Sequence, residues 1–193
     1  MKNLSIFYFE DNPKIKDLTN FVKRTKKDTM IVFLKKGCTT VISDKDLSII
    51  MNRIEKLLEK YDIFYLSSLM DSCEKKLDVV EKINGLKIVS SNSPNGFYGL
   101  ASKRNSWEKI LLLLEDNNLS YQLNSLVVSG KITALTSWPR IYNTNSNYEF
   151  FPCREETIRE VNKTPEYELS VYYFMISSLI LTIFLFYFPK IFP

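Results

Sequence analysis

The last stretch of the chain constrains it most. Leu169 to Phe188 (LSVYYFMISSLILTIFLFYF) runs twenty residues without a charge, a proline or a glycine. At 1.5 Å per helical residue it reaches roughly 30 Å, the hydrocarbon thickness of a bilayer. Tyr172, Tyr173 and Tyr187 lie near its ends, where amphipathic rings settle among headgroups. Helices of soluble cores seldom run so long without a polar face. The segment is expected to be one transmembrane helix, held by membrane lipid along Leu169 to Phe188. The other apolar run near a terminus, Leu4 to Phe9, is short, lacks a cleavage site and is interrupted at once by acidic residues, so it is not a signal peptide. A sole hydrophobic segment at the end of the chain implies a tail anchor with residues 1–168 on the cytosolic side. Arg154, Arg159 and Lys163 agree with that orientation. The sequons at Asn3, Asn118 and Asn162 should then go unused.

Composition narrows the rest. The 168 residues before the anchor suit one domain with a full core. Removing Lys190 from the 26 basic residues leaves 25 against 22 acidic ones, a net +3. That is too mild to imply a nucleic-acid partner. The chain has no histidine, which excludes Cys/His zinc sites, histidine general bases and Ser-His-Asp or Cys-His catalysis. Cys38, Cys73 and Cys153 are odd in number and far apart, without metal-ligand spacing, and read as free thiols of a reducing compartment.

Taken in order, Leu4 to Phe9 reads as a buried strand, and Ile15, Leu18 and Val22 recur at helical spacing after Pro13. Thr29 to Leu34 is a second buried strand, ending at Lys35-Lys36-Gly37. Ser43 and Asp46 form a capping box, which also accounts for the Asp44/Asp46 carboxylates. Leu47, Ile50, Met51, Ile54, Leu57, Leu58 and Tyr61 then line one helix face. Asp62 to Ser67 makes a third strand. Met70 to Asn84, charged, reads as a loop carrying a short helix. Leu86 to Ser90 and Gly96 to Ser102 read as strands around the turn Asn92 to Gly96. Trp107, Ile110, Leu111 and Leu114 mark a helix, Tyr121 to Val128 is helix or strand, and Ile132 to Leu135 is a last short strand. Tyr142 to Asn147 is a polar turn. Alternating strands and helices predict an α/β domain with a mixed, mainly parallel sheet over residues 1–150. A juxtamembrane stalk over 151–168 and the anchor over 169–188 follow it.

The pieces IVFLKKG (31–37), YDIFYL (61–66), GFYGLASKRNSWEKILLLL (96–114) and ITALTSWP (132–139) stand in an order that resembles glycosyltransferases of the A-type fold, family 25 above all. There a buried strand ends in an acidic metal motif, a helix follows, and a strand opens with Asp-Ile-x-Tyr-Leu. A strand then enters a helix, and a last strand exits through proline. The resemblance implies a truncated glycosyltransferase-A-like domain; no cofactor is expected, a UDP-sugar being the one small molecule such a domain would admit. By position in that pattern Lys35, Lys36, Asp62 and Asn124 would face the sugar nucleotide, Asn124 where a late acid is often found. The chain departs from the family where two lysines replace the metal-holding acids. Lysine repels a cation, so neither a metal nor a catalytic residue is expected. Such a domain followed by one C-terminal anchor is similar to a family of tail-anchored envelope proteins of the poxvirus mature virion, which attach to glycosaminoglycans. The residues for that role are Lys23, Arg24, Lys26 and Lys27, joined by Lys103, Arg104, Lys35 and Lys36, with Trp138 to stack on a sugar face. Three roles stay open: a non-catalytic attachment or glycan-binding protein of a membrane or virion surface, an active nucleotide-sugar transferase at the cytosolic face, and a membrane-tethered adaptor.

Overall fold

Met30 to Leu34 are apolar without alternation, and a strand of that kind needs cover on both faces. In the computed structural model, which describes residues 4–11, 13–68, 77–143 and 158–160, β2 (Met30–Lys35) is such a strand. Its even residues Met30, Val32 and Leu34 enter one core, and Ile31 and Phe33 enter the other. The strands around it are β1 (Leu4–Phe9), β4 (Ile63–Ser67), β5 (Leu77–Ile83), β6 (Leu86–Ser91), β7 (Gly99–Lys103), β8 (Ala134–Trp138) and β10 (Ile158–Glu160). Among the described residues they form one sheet in the order β1-β2-β7-β4-β8-β6-β5-β10. A ribbon of β3 (Thr39–Thr40) and β9 (Tyr142–Asn143) stands apart.

Helices cover both faces. On one side α2 (Asp44–Leu57) lays Ile50, Met51 and Ile54 against Val32, Phe64 and Leu135. Ser43 starts it as expected: its Oγ accepts from the Asp46 amide at 3.1 Å and donates to Asp46 Oδ2 at 2.6 Å. The whole predicted face of this helix is buried or packed on that core. On the other side lie α1 (Ile15–Arg24), α3 (Arg104–Leu111) and α4 (Leu119–Val128), through Leu18, Val22, Trp107, Ile110 and Leu123. Each such buried side chain contributes about 1.5–3 kcal/mol. Trp107 anchors this layer, its Nε1 donating to the Ile31 carbonyl at 3.1 Å and its ring 4.4 Å from that of Phe33.

The expected α/β layering with a mixed sheet therefore stands. β1, β2, β4, β5 and β8 run one way and β6 and β7 the other. Neighbouring pairs are nevertheless more often antiparallel, because β7 lies between β2 and β4 and β6 between β8 and β5.

Four expectations need correcting. The stretch expected to be a loop with a short helix holds β5, which a bulge between Val79 and Glu81 disguises by breaking the alternation of apolar and polar residues. β1 is an edge strand, not a buried one, with Ile6 and Tyr8 exposed. The strand expected at Ile132 to Leu135 is β8, which starts two residues later, since Ile132 fills the core ahead of it, and is followed by β9 and β10. Residues 158–160 of the expected stalk form β10 beside β5. The stretch left open between helix and strand is α4. The chain divides into compact units of residues 1–159 and 160–193. The expected anchor, Leu169 to Phe188, lies outside the described residues, and among those described no helix is long and apolar enough to cross a membrane.

Candidate functional site

Parallel pairing brings two charged strand ends together. β1 and β2 run in register with Phe9 beside Lys35, so the acids after Phe9 meet the lysines that close β2. Lys36 N–H donates to the Phe9 carbonyl at 2.8 Å, and Lys35 N–H to the Tyr98 carbonyl at 2.7 Å, fixing both backbones. The side chains then pair crosswise to the sheet, Lys35 Nζ with Asp11 at 2.6 Å and Lys36 Nζ with Glu10 at 2.8 Å. Lys35 Nζ also sits 5.3 Å from the centre of the Tyr98 ring, a cation–π distance.

Beside this rim is a cavity of about 400 Å³. Its apolar wall is Phe9, Phe97 and Leu119, and Tyr98 adds an amphipathic ring. Its polar wall is Glu10, Asp11, Lys14, Lys35, Asp116, Asn118 and Ser120. Clefts at the carboxyl ends of parallel strands are the usual binding places in α/β sheets. The wall is built deliberately. Asp116 Oδ1 accepts from the Ile15 amide at 2.6 Å, capping α1 from across the fold because its own N-cap residue, Lys14, offers no acceptor. Ser120 Oγ accepts from the Gly96 amide at 2.8 Å and donates to Asn95 Oδ1 at 2.9 Å. That clamp fixes the loop that presents Phe97 and Tyr98. Cys38 lies partly buried nearby with its thiol 3.8 Å from the Tyr98 carbonyl, and burial pushes its pKa up against the opposing pull of Lys35. Burial likewise raises the Tyr142 phenol.

The lysine pair shifts its partners. The hydrogen bond and charge of Lys36 hold the Glu10 carboxyl below the usual range. The hydrogen bond that Lys35 donates to Asp11 raises Lys35 above its ordinary 10.5, against desolvation. The Glu10 contact is thus present above the ordinary carboxylate pKa and lost as pH falls through the lowered value. The Lys35 contact is present below the ordinary lysine pKa and lost as pH rises through the raised one. Lys36→Ala is expected to return the Glu10 carboxyl upward, read by NMR titration of that carboxyl carbon. An unmoved titration would mean the pair does not form in solution.

The residues expected to face a sugar nucleotide do not gather here. Lys35 and Lys36 do, but Asp62 stands at the opposite end of the sheet, opening β4 and not closing it. Its Oδ2 accepts from both the amide and the hydroxyl of Thr133 at 2.8 Å, tying the start of β4 to the approach of β8. Asn124 sits behind the cavity on α4, where its Nδ2 donates to the Pro94 carbonyl at 2.8 Å and to Ser93 Oγ at 3.1 Å. Trp138 is separated from Lys35 by β7 and β4 and packs on Val79 and Val89.

The basic residues also divide. Lys23, Arg24, Lys26 and Lys27 are exposed at the end of α1, beside the start of β1, where Leu4, Ser5, Arg24, Lys26 and Thr29 line a shallow hollow. A strand of six residues, roughly 20 Å, separates them from Lys35 and Lys36. Lys103 and Arg104 close β7 at the same end as the α1 group but are engaged, Lys103 with Glu59 at 3.4 Å and Arg104 with Glu108 at 2.9 Å and the Thr25 carbonyl at 2.5 Å. The expected single basic face is thus two groups at opposite ends of the sheet.

A divalent metal does not fit this strand end. Asp11 and Glu10 would have to leave lysines that stay beside them, and two ammonium groups would repel the ion. Among the described residues no group of three His, Cys, Asp or Glu side chains stands close enough to hold a metal. Glu10, Asp11 and Asp116 stood in no sequence motif, and Phe97 and Tyr98 in the 96–114 piece and Asn118 and Ser120 in a sequon were given no binding role. The available signal was the pair of strands ending in FED and KKG, complementary once placed side by side. No family model matches the chain, and no curated protein resembles it significantly.

Proposed function

We propose that this chain is a membrane-tethered, non-catalytic glycan-binding protein. It consists of a truncated, degenerate glycosyltransferase-A-like domain and one C-terminal transmembrane helix, and acts in attachment at a membrane or virion surface. The observation that carries the reading is the neutralised rim. Lysines stand where a transferase would hold its metal, and each is taken up by an acid of the neighbouring strand. What remains is a polar cavity with aromatic walls, the chemistry that receives an uncharged sugar: rings for its apolar face and carboxylates and amides for its hydroxyls. The order of β2, α2, β4, β7 with α3, and β8 supports the glycosyltransferase likeness, since those elements carry the four resembling pieces in sequence. The tether rests on the length and composition of Leu169 to Phe188.

Full-length protein in detergent micelles is expected to bind neutral oligosaccharides on a glycan array. Tyr98→Ala should weaken the best of them about ten-fold in calorimetry, the scale of one lost ring contact. Changing Lys23, Arg24, Lys26 and Lys27 to serine should leave that binding in place. A second reading, a sulfated glycosaminoglycan at the end of α1, is favoured by the exposure of those four residues. It requires the reverse: heparin binding that falls steeply with salt, is lost in the serine variant and is indifferent to Tyr98→Ala. Metal-dependent turnover of a UDP-sugar would overturn both.

A further inference from the structure

The turn between α1 and β2 is held at both ends by one residue. Arg104 Nη1 donates to the Thr25 carbonyl at 2.5 Å, and the Arg104 amide donates to the Thr29 carbonyl at 3.1 Å. Glu108 holds the same guanidinium at 2.9 Å. Beside this fixed turn lies the hollow at the start of β1, about 520 Å³, with Leu4 and Phe21 as its apolar wall. Arg24 and Lys26 border it, and among the described residues neither has an ion-pair partner. Basic residues in a last helical turn ordinarily answer the helix dipole. That accounts for Lys23, which lines a different hollow, between α1 and α3, with Glu108. It does not account for Lys26, which lies beyond the helix.

Nor does it account for the hydroxyls. Thr29 borders the hollow although the residue is only 4% exposed. Its hydroxyl has no hydrogen-bond partner among the described residues, and it is not one of the polar atoms sealed from solvent. The Ser5 hydroxyl, at the same hollow, is likewise unpartnered. The Thr25 hydroxyl, by contrast, is engaged, donating to the Phe21 carbonyl at 2.9 Å. Two free cations and two free hydroxyl donors thus border one hollow. Asp28, the acid of the turn, is not among its lining residues.

We propose that this hollow binds a phosphomonoester. Near neutral pH such a group carries about −1.5 to −2 charges and three strong acceptor oxygens. Arg24 and Lys26 balance the charge, and Ser5 and Thr29 donate to the oxygens. A sulfate ester or a phosphodiester carries a single charge and would leave one cation unmatched. The wall of Leu4 and Phe21 receives the carbon skeleton that bears the phosphate, whether a lipid headgroup or a soluble phosphoester. The site stands at the opposite end of the sheet from the sugar cavity and does not depend on it.

Full-length protein in neutral detergent micelles is expected to bind phosphatidic acid, doped into the micelles, about ten-fold more tightly than phosphatidylglycerol, an anionic phosphodiester. Binding should tighten as pH rises from 5 to 7.5. With no histidine in the chain, a transition near pH 6 belongs to the ligand. Thr29→Val keeps the shape and removes the hydroxyl, and should weaken binding about ten-fold, the scale of one hydrogen bond to a charged group. Thr29→Ser should restore it, and Lys23→Gln should change it less than about two-fold, with circular dichroism the same throughout. Glycerol 3-phosphate distinguishes the sources: affinity equal to that of phosphatidic acid assigns a soluble phosphoester, and weaker affinity assigns the lipid headgroup. Equal binding of the diester, or indifference to Thr29→Val, overturns the proposal. So does heparin that displaces phosphatidic acid with no dependence on pH or on Thr29, which would make this end of α1 a charged surface for a sulfated chain.

Discussion

Replacing Trp107 by alanine is expected to lower unfolding free energy by about 3–5 kcal/mol, the cost of deleting a large buried aromatic side chain. That is a large share of the roughly 5–15 kcal/mol a domain of this kind possesses. Trp107 is fully buried and ties α3 to β2: it donates to the Ile31 carbonyl and contacts the ring of Phe33, which in turn meets Phe7 of β1 and Phe21 of α1. Losing it opens a cavity under the layer in which α1 and α4 begin beside the proposed sugar cavity, so binding should fall with stability. Trp107→Phe should cost less, since a ring remains and the hydrogen bond to the Ile31 carbonyl is the main loss, about 1 kcal/mol. Urea unfolding followed by circular dichroism measures both. A loss below about 1 kcal/mol for the alanine variant would mean the helical layer does not depend on this side chain.

What was legible in the sequence depended on whether the signal was local. The face of α2 could be read residue by residue, because a capping box and seven apolar positions at helical spacing lie within one element. β2 could be read as doubly covered because its apolar run does not alternate. Whether a strand is central or at an edge is not local. β1 and β2 are similarly apolar, and only the sheet order separates them. β5 was hidden by its bulge, which shifts the alternation midway.

The site shows the same limit more sharply. The lysines at 35 and 36 were visible as a departure from an acidic motif, but their partners Glu10 and Asp11 are supplied by a parallel neighbour some 25 residues earlier. Asp62 was placed with them by its position in the resembling pattern, as the first residue of Asp-Ile-x-Tyr-Leu. It borders the opening end of β4, however, and the two ends of a strand face opposite edges of the sheet. The basic residues looked like one group because charge is additive in a sequence, while a strand's length divides them in space.

Deleting residues 169–193 is expected to move the protein completely from an alkali-washed membrane pellet to the supernatant, with its circular dichroism between 200 and 250 nm essentially that of an α/β domain. Twelve of the twenty residues from 169 to 188 are Leu, Ile, Phe or Val. At about 0.3–0.6 kcal/mol each in insertion, they contribute roughly 4–7 kcal/mol, offset in part by the serines and the threonine. No other stretch of the sequence is apolar over that length. A graded variant separates insertion from mere stickiness. Leu179→Arg places a charge at the middle of the segment, where it costs about 2.5–3.5 kcal/mol, and should leave a mixed population between pellet and supernatant. Tyr187→Arg, at the headgroup level, should stay in the pellet because the long side chain reaches the interface. If both arginine variants behave alike, the segment adheres without spanning. If the deleted protein stays in the pellet, the tether lies elsewhere and the proposed topology fails.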